Sequence, residues 1–316
     1  WRYLFTLLSN LDFDLGEFTS SDRRPKSSSS KIFLSFVGKM LFFHKTNVDK
    51  FRLKCGIRVD CCHVYGWILA AVWRGDIGGF ETGYSFCFGC SKGCPFSQSQ
   101  DPLSHFIKFL NDDSVKILFS SCTNLEVVII EKCNMENINN FNISHHLLQS
   151  LSILHSNDSS NCWLIIDFPN LAYFKYIDHV VGGYSLENLQ SIVSVDIHFI
   201  IEDDDLQADA TALFREISNV RSLLLSSTSL KEVLISLPEK VPSCLSFKLK
   251  VTEFSNFRDD KDCIEKVKYI LKHGGALQKL TIRTASYYHD EEKMKIADEL
   301  FASPRESKQC CILIVW

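Results

Sequence analysis

The feature that most constrains this chain is a recurring strand signature of the form Leu-x-x-Leu-x-Leu. Around its cleanest copy the sequence reads Leu125-Glu126-Val127-Val128-Ile129-Ile130-Glu131-Lys132-Cys133. The pattern returns as Leu148/Leu151/Ile153, Leu171/Phe174/Tyr176, Ile192/Val195/Ile197 and Val220/Leu223/Leu225, with starts 23, 23, 21 and 28 residues apart. A unit of this size cannot bury its leucines alone. It buries them by laying each strand beside the last. The expected fold class is α/β: an irregular leucine-rich repeat solenoid, with a curved parallel sheet, helices or loops on its convex side, and a C-terminal α/β cap.

The period of two along a strand sorts the side chains. The pattern leucines point inward, each worth roughly 1.5–3 kcal/mol when buried. The residues between them face the concave side: Val127, Ile129 and Glu131, then Ser150, Ser152 and Leu154, then Tyr173, Lys175 and Ile177. Ser194, Asp196 and His198 continue the set, followed by Ser222, Leu224 and Ser226. Exposed apolar groups interleaved with polar ones suit a protein contact. Ile129, Glu131, Ser152, Tyr173, Lys175, Ile177, Asp196, His198 and Leu224 are the candidate partner-binding residues.

The net charge of −4 gives no reason to expect nucleic acid or an anionic membrane as partner. The longest apolar runs, Trp67–Trp73 and Cys311–Trp316, are far short of a membrane span. The opening apolar stretch is broken by Asp12 and Asp14, so no signal peptide is expected. The 13 cysteines then read as reduced thiols of a cytoplasmic or nuclear chain, several of them (Cys55, Cys133, Cys263) in core positions.

Along the chain, residues 15–30 are polar and Ser-rich, ending in Arg23-Arg24-Pro25-Lys26-Ser27-Ser28-Ser29-Ser30, the composition of a linker after a short opening segment, 1–14. Residues 31–73 form an N-terminal repeat-like unit. It has a helical stripe at Phe33, Phe36, Val37, Met40, Leu41 and Phe43, a strand at Val48/Phe51/Leu53, and a second helix at 61–73. Residues 74–104 break the rhythm and show neither period, reading as an irregular insertion or replaced segment. Repeats occupy 105–235. In the tail, 236–316, the alternation of Leu245, Phe247, Leu249 and Val251 predicts a strand. An amphipathic helix follows at 261–273, stopped by Gly274-Gly275, then a strand at Leu277/Leu280/Ile282. A helix led by Asp290-Glu291-Glu292 and a last strand at 310–316 complete it.

Chemistry-bearing clusters are few. Cys87, Cys90 and Cys94, with His105 beyond, have ligand types for tetrahedral zinc, but one CxxC pair is short of the two pairs a structural site usually shows. Cys61-Cys62-His63 and Cys310-Cys311 lack the surroundings of a thiol enzyme. Glu202-Asp203-Asp204-Asp205 has no scaffold to turn its carboxylates onto one ion and reads as a solvated loop. No phosphate-binding loop or catalytic triad signature is present. The expectation is a non-enzymatic chain without a cofactor.

Several stretches together resemble the plant F-box/FBD/LRR-repeat proteins. Trp1-Arg2-Tyr3-Leu4-Phe5 and Leu11-Asp12-Phe13-Asp14 are similar to the end of that family's F-box and its sequel. Val48–Cys55 with Trp67–Ala71 resembles its first repeat, and Asp113-Ser114-Val115 with Asn124-Leu125-Glu126 resembles a later one. Lys268-Tyr269-Ile270-Leu271, Leu277–Ile282 and Ser303-Pro304-Arg305 before Cys310 are similar to the FBD domain, making the cap FBD-like. The resemblance implies a substrate-recognition subunit of an SCF-type ubiquitin ligase. In such a subunit the repeats hold a target protein on their concave face, and the F-box docks on the Skp adaptor of the cullin complex. Only the end of the F-box is expected at Trp1–Phe5, so docking on the adaptor requires a full F-box upstream. The competing expectations are a repeat/FBD interaction module or truncated relic that no longer docks on the ligase, and a zinc-dependent module centred on Cys87, Cys90 and Cys94.

Overall fold

In a computed structural model, the residues described are 7–14, 26–46, 50–54, 67, 70, 79–83, 96–97, 107–109, 111–120, 126–131, 133–135, 138–154, 162–179, 181–200, 219–233, 241–257, 260–284 and 290–315. The chain divides into two compact units, Trp1–Phe168 and Pro169–Trp316.

The first unit contains, in order, β1 (Asn10–Asp14), α1 (Lys26–Phe43), β2 (Lys50–Lys54), β3 (Gly79–Gly83), β4 (Phe96–Ser97), β5 (Ile107–Phe109) and α2 (Asp112–Ser120). Then come β6 (Val127–Glu131), β7 (Cys133–Asn134), β8 (Asn140–Ser144), β9 (Ser150–Leu154) and β10 (Trp163–Asp167). Strands β1, β2, β3, β6 and β9 pair in that order, all parallel. The pattern residues Val128, Ile130, Leu148, Leu151 and Ile153 are buried, as the repeat signature requires. A separate parallel pair, β8 with β10, buries Phe141, Ile143, Leu164 and Ile166. Asp112 at the start of α2 accepts from the backbone N–H groups of Asn139 and Asn140 at 2.9 and 3.2 Å, fixing α2 against β8.

The first unit departs from the sequence expectation in two places. Helix α1 begins at Lys26, inside the stretch 15–30 expected to be linker. Serines 27–30 are tolerable in a helix whose stability comes from Phe33, Val37, Met40 and Leu41 buried farther along. The segment 74–104, expected to be irregular, supplies β3, which sits in the sheet between β2 and β6 with Phe80 opposite Phe51 and Val128. Its sequence, Gly-Phe-Glu-Thr-Gly, has one large apolar side chain and so shows no period. Backbone hydrogen bonds do not need one.

The second unit contains β11 (Tyr173–His179), β12 (Gly183–Glu187), β13 (Ser194–Ile200), β14 (Ser222–Ser226), α3 (Ser227–Val233), α4 (Ser243–Phe247) and β15 (Val251–Phe257). It ends with α5 (Lys261–His273), β16 (Lys279–Thr284), α6 (Asp290–Phe301) and β17 (Cys311–Val315). Strands β11, β13, β14, β15, β16 and β17 form one parallel ladder. Just before each strand a carbonyl accepts two N–H groups from the next chain segment: Ala172 from Val193 and Ser194, Val193 from Arg221 and Ser222, Arg221 from Lys250 and Val251, Lys250 from Gln278 and Lys279. This shared geometry carries the register from the repeats into the tail without a break.

One face of this ladder is the core. Phe174 and Tyr176, Val195, Ile197 and Phe199, Leu223 and Leu225, Phe254, Leu280 and Ile282 are all buried. Helix α3 closes the C-terminal ends of β13 and β14 with hydroxyls: Ser229 Oγ accepts from the Phe199 N–H at 2.7 Å, and Thr228 Oγ1 donates to the Phe199 carbonyl at 2.9 Å. In β15 the pairing with β16 shifts between Phe254 and Phe257, and Asn256 there has φ 49°. Asparagine enters this left-handed region more easily than other non-glycine residues.

The strand expected at 244–251 is instead helix α4 followed by the start of β15. Leu245 and Leu249 are buried while Phe247 is 79% exposed. The two leucines stand four apart, a spacing that alternation and a helix turn satisfy equally, and Pro242 at the N-cap tips the balance to the turn.

Candidate functional site

The other face of each ladder carries the candidate residues, and each unit brings together its own set. In the first unit Ile129 lies opposite Ser152, and Glu131 opposite Leu154. Ile129 is half-buried, but Ser152 is only 6% exposed. The expectation of an open Ser152 is corrected: its short side chain lies below the reach of its larger register neighbour Ile129.

In the second unit the register sets three rows across the strands. Tyr173, Ser194, Ser222, Val251, Lys279 and Cys311 form the lowest row. Lys175, Asp196, Leu224, Glu253, Thr281 and Leu313 form the middle row. Ile177 and His198 begin the third, which Ser226 and Ser255 continue on β14 and β15. Neighbours in a row are about 4.8 Å apart along the ladder.

Asp196 is the hub of this face. Lys175 Nζ lies 2.9 Å from its Oδ2. His198 Nε2 lies 3.1 Å from its Oδ1. His198 Nε2 also reaches Ser255 Oγ at 3.4 Å, across β14, where Ser226 turns its own hydroxyl away toward Thr228 and Ser229. Beyond it, Glu253 pairs with Arg283.

Asp196 is only 7% exposed, a second correction to the expected open face. The flanking Lys175 and His198 cover it. Burial pushes the Asp196 carboxyl up, but the contacts with His198 and Lys175 outweigh it and hold the group below its ordinary value. Burial likewise draws the Lys175 ammonium down, and the Asp196 carboxylate more than restores it, leaving it raised. Burial raises the Tyr173 phenol. Asp196 and Lys175 are therefore a fixed ion pair, and Tyr173, Ile177 and Leu224 stand half-exposed around it.

Sequence reasoning missed Glu253, Ser255, Thr281 and Arg283, which it assigned to a cap. The strands β15 and β16 instead continue the same face in register. The signal was the alternation Thr252/Phe254 and Leu280/Ile282, matching the repeat cores.

Cys87, Cys90, Cys94, His105 and Cys61-Cys62-His63 lie outside the described residues. Among the described residues no group of three or more His, Cys, Asp or Glu is placed to hold a metal ion. Cys162, Cys244, Cys263 and Cys310 are buried, and burial pushes Cys244, Cys263 and Cys310 up in pKa, away from the reactive thiolate. Among the described residues no helix is long and apolar enough to cross a membrane.

Residues 237–282 match the FBD family model, a span that holds α4, β15, α5 and most of β16. Two F-box/LRR-repeat proteins of Arabidopsis thaliana are similar to the chain. One is 26% identical over 275 residues, covering 73% of this chain and 57% of its own length. The other is 28% identical over 292 residues, covering 77% and 56%. An F-box/FBD/LRR-repeat protein of the same plant is 28% identical over 267 residues, covering 73% and 53%. The chain thus spans about half the length of these curated relatives. Its parallel ladder, repeat signature and FBD domain at 237–282 make it a relative of the plant F-box/FBD/LRR-repeat proteins.

Proposed function

We propose that this chain is the target-recognition part of a non-enzymatic adaptor of SCF type, holding a protein partner on the strand face of its repeats. The observation that carries the reading is the row geometry of the second unit. Half-exposed Tyr173, Ile177 and Leu224 surround a rigid Lys175–Asp196 pair, and Glu253 with Arg283 extends the polar rim onto the FBD strands. Aromatic and aliphatic groups framed by fixed charges suit a protein contact, in which apolar area supplies affinity and charges set register. The names of the relatives support the ligase context. In that context the Skp adaptor and cullin complex engage the chain only where a full F-box is encoded upstream of the repeats.

The test uses the full-length gene product, affinity-captured from plant tissue beside a Tyr173→Ala/Ile177→Ser/Leu224→Asp variant. The expected result is recovery of the Skp adaptor by both proteins and loss of a discrete set of partners from the variant. Identical partner sets would overturn the strand-face reading. A complete F-box that recovers no adaptor would overturn the ligase reading and leave a repeat-based interaction module.

A further inference from the structure

In the second unit several helix lysines are ion-paired. Lys231 pairs with Asp260, Lys266 Nζ lies 2.6 Å from Asp262 Oδ2, and Lys268 Nζ lies 2.6 Å from Glu299 Oε1. At the N-terminal ends of β14 to β17 the exposed cations off the strand face are Arg221, Lys248, Lys250, Lys272 and Lys308, and none of them has an ion pair among the described residues. Lys248 bonds the neutral side-chain oxygen of Asn219. Arg305, at the same end, donates to the carbonyls of Cys310 and Phe301 and meets no carboxylate there. Among the described residues 219–222, 241–251, 271–279 and 302–311, Glu306 is the one anion; Glu299, in the last turn of α6 nearby, is paired with Lys268.

Backbone bonds show that these cations share one rim. The Lys250 N–H donates to the Arg221 carbonyl at 2.9 Å, the Gln278 N–H to the Lys250 carbonyl at 2.8 Å, and the Cys311 N–H to the Gln278 carbonyl at 2.9 Å. Arg221 and Lys250 thereby occupy the same ladder position on adjacent strands, about 4.8 Å apart, where like charges oppose each other. The Glu306 N–H donates to the Leu271 carbonyl at 3.1 Å, bringing the 305–308 turn against the end of α5 beside Lys272. A Cβ on Gly275 would lie 2.7 Å from the Ser246 carbonyl oxygen and 3.7 Å from Glu306 Cγ, so the Phe247–Lys248 corner belongs to the same surface. Phe247 is 79% exposed there.

We propose that this rim binds an acidic segment of a protein partner, a second contact separate from the strand face. Unneutralised cations in a chain of net charge −4 are complementary to carboxylates. From β14 to β17 the rim measures roughly 14 Å, the reach of four or five extended residues. Phe247 offers an apolar anchor beside the row, suiting a partner segment with an aliphatic or aromatic residue beside its acids. A nucleic acid or an anionic bilayer would instead meet the chain's excess of negative charge beyond so short a rim.

Fluorescence anisotropy of a fluorescein-labelled, Asp/Glu-rich eight-residue peptide carrying one leucine, titrated with the 316-residue chain at about 0.1 M salt, tests this directly. The expected result is saturable binding that weakens as salt rises. Arg221→Glu/Lys250→Glu/Lys272→Glu should lower affinity on the order of tenfold or more, and the corresponding Gln variant, which perturbs folding less, by a smaller factor. The Tyr173→Ala/Ile177→Ser/Leu224→Asp variant should bind the peptide unchanged, which separates failure here from failure of the strand-face reading. Absence of saturable binding, equal affinity in the charge-reversed chain, or tighter binding to a short DNA duplex or to phosphatidylserine vesicles than to the peptide would each overturn the proposal.

Discussion

Asp196 is the residue whose chemistry most shapes the candidate face. Its folded pKa is lowered, so it contributes stability that is fully present above the unfolded carboxyl value of about 3.9 and is lost as pH falls toward the folded value. Lys175, raised in the fold, contributes at the other extreme, with stability present below about 10.4 and lost as pH rises through its folded value. Asp196→Asn should cost about 1–3 kcal/mol at neutral pH, since it leaves a partly buried ammonium without its anion. Urea unfolding at a series of pH values checks the sign: the gap between parent and variant should narrow as pH falls below about 4. A gap that widens in acid would contradict the assignment. Gly274 makes a different point, because its φ is ordinary and only space matters. A Cβ there would stand 2.6 Å from the Ile270 carbonyl oxygen and 3.2 Å from Leu277 Cβ, with backbone that cannot yield. Gly274→Ala should therefore destabilise by about 1–3 kcal/mol despite alanine's better helix propensity, and a variant as stable as the parent in urea would refute the close approach.

At the scale of elements, α5 shows how local signals fix a helix. Asp260 caps it by accepting from the Asp262 N–H at 2.9 Å, and the neighbouring Lys231 ammonium holds the Asp260 carboxyl below its ordinary range. Asp260→Ala should lose about 1–2 kcal/mol in urea unfolding, most of it from the cap. Asp260→Asn keeps the cap and gives up only a partly exposed ion pair, so it should recover most of that loss. Equal losses in the two variants would place the stabilisation in the charge instead. The same element was legible in the sequence because apolar stripe and Gly-Gly stop agreed. So were the repeat strands, whose leucines are too regular to read otherwise. Alternation misled at 244–251, because Leu245 and Leu249 satisfy a helical turn as well as a strand. It was silent at Gly79–Gly83, where pairing is made by backbone alone. Of the candidate face, residue identity and direction could be read from the period of two. The burial of Ser152 and Asp196 could not, since it depends on the size of neighbours on other strands.

At the scale of the molecule, a ladder in which each strand bonds only its neighbours makes stability local. The FBD strands β15 and β16 continue the repeat ladder in register, so they share its energetics instead of closing it off. Phe254 is fully buried on β15, between the Leu225 and Ile282 positions of the adjoining strands. Phe254→Ala should cost about 3–5 kcal/mol, and the loss should fall first on the strands that touch it. Hydrogen exchange read strand by strand is the measurement. Amides of β14, β15 and β16 should lose protection, while those of β8 and β10 in the other compact unit keep theirs. Phe141→Ala, with its side chain buried on β8, should produce the converse pattern. Uniform loss of protection across both units in either variant would mean that the chain unfolds as a single cooperative body.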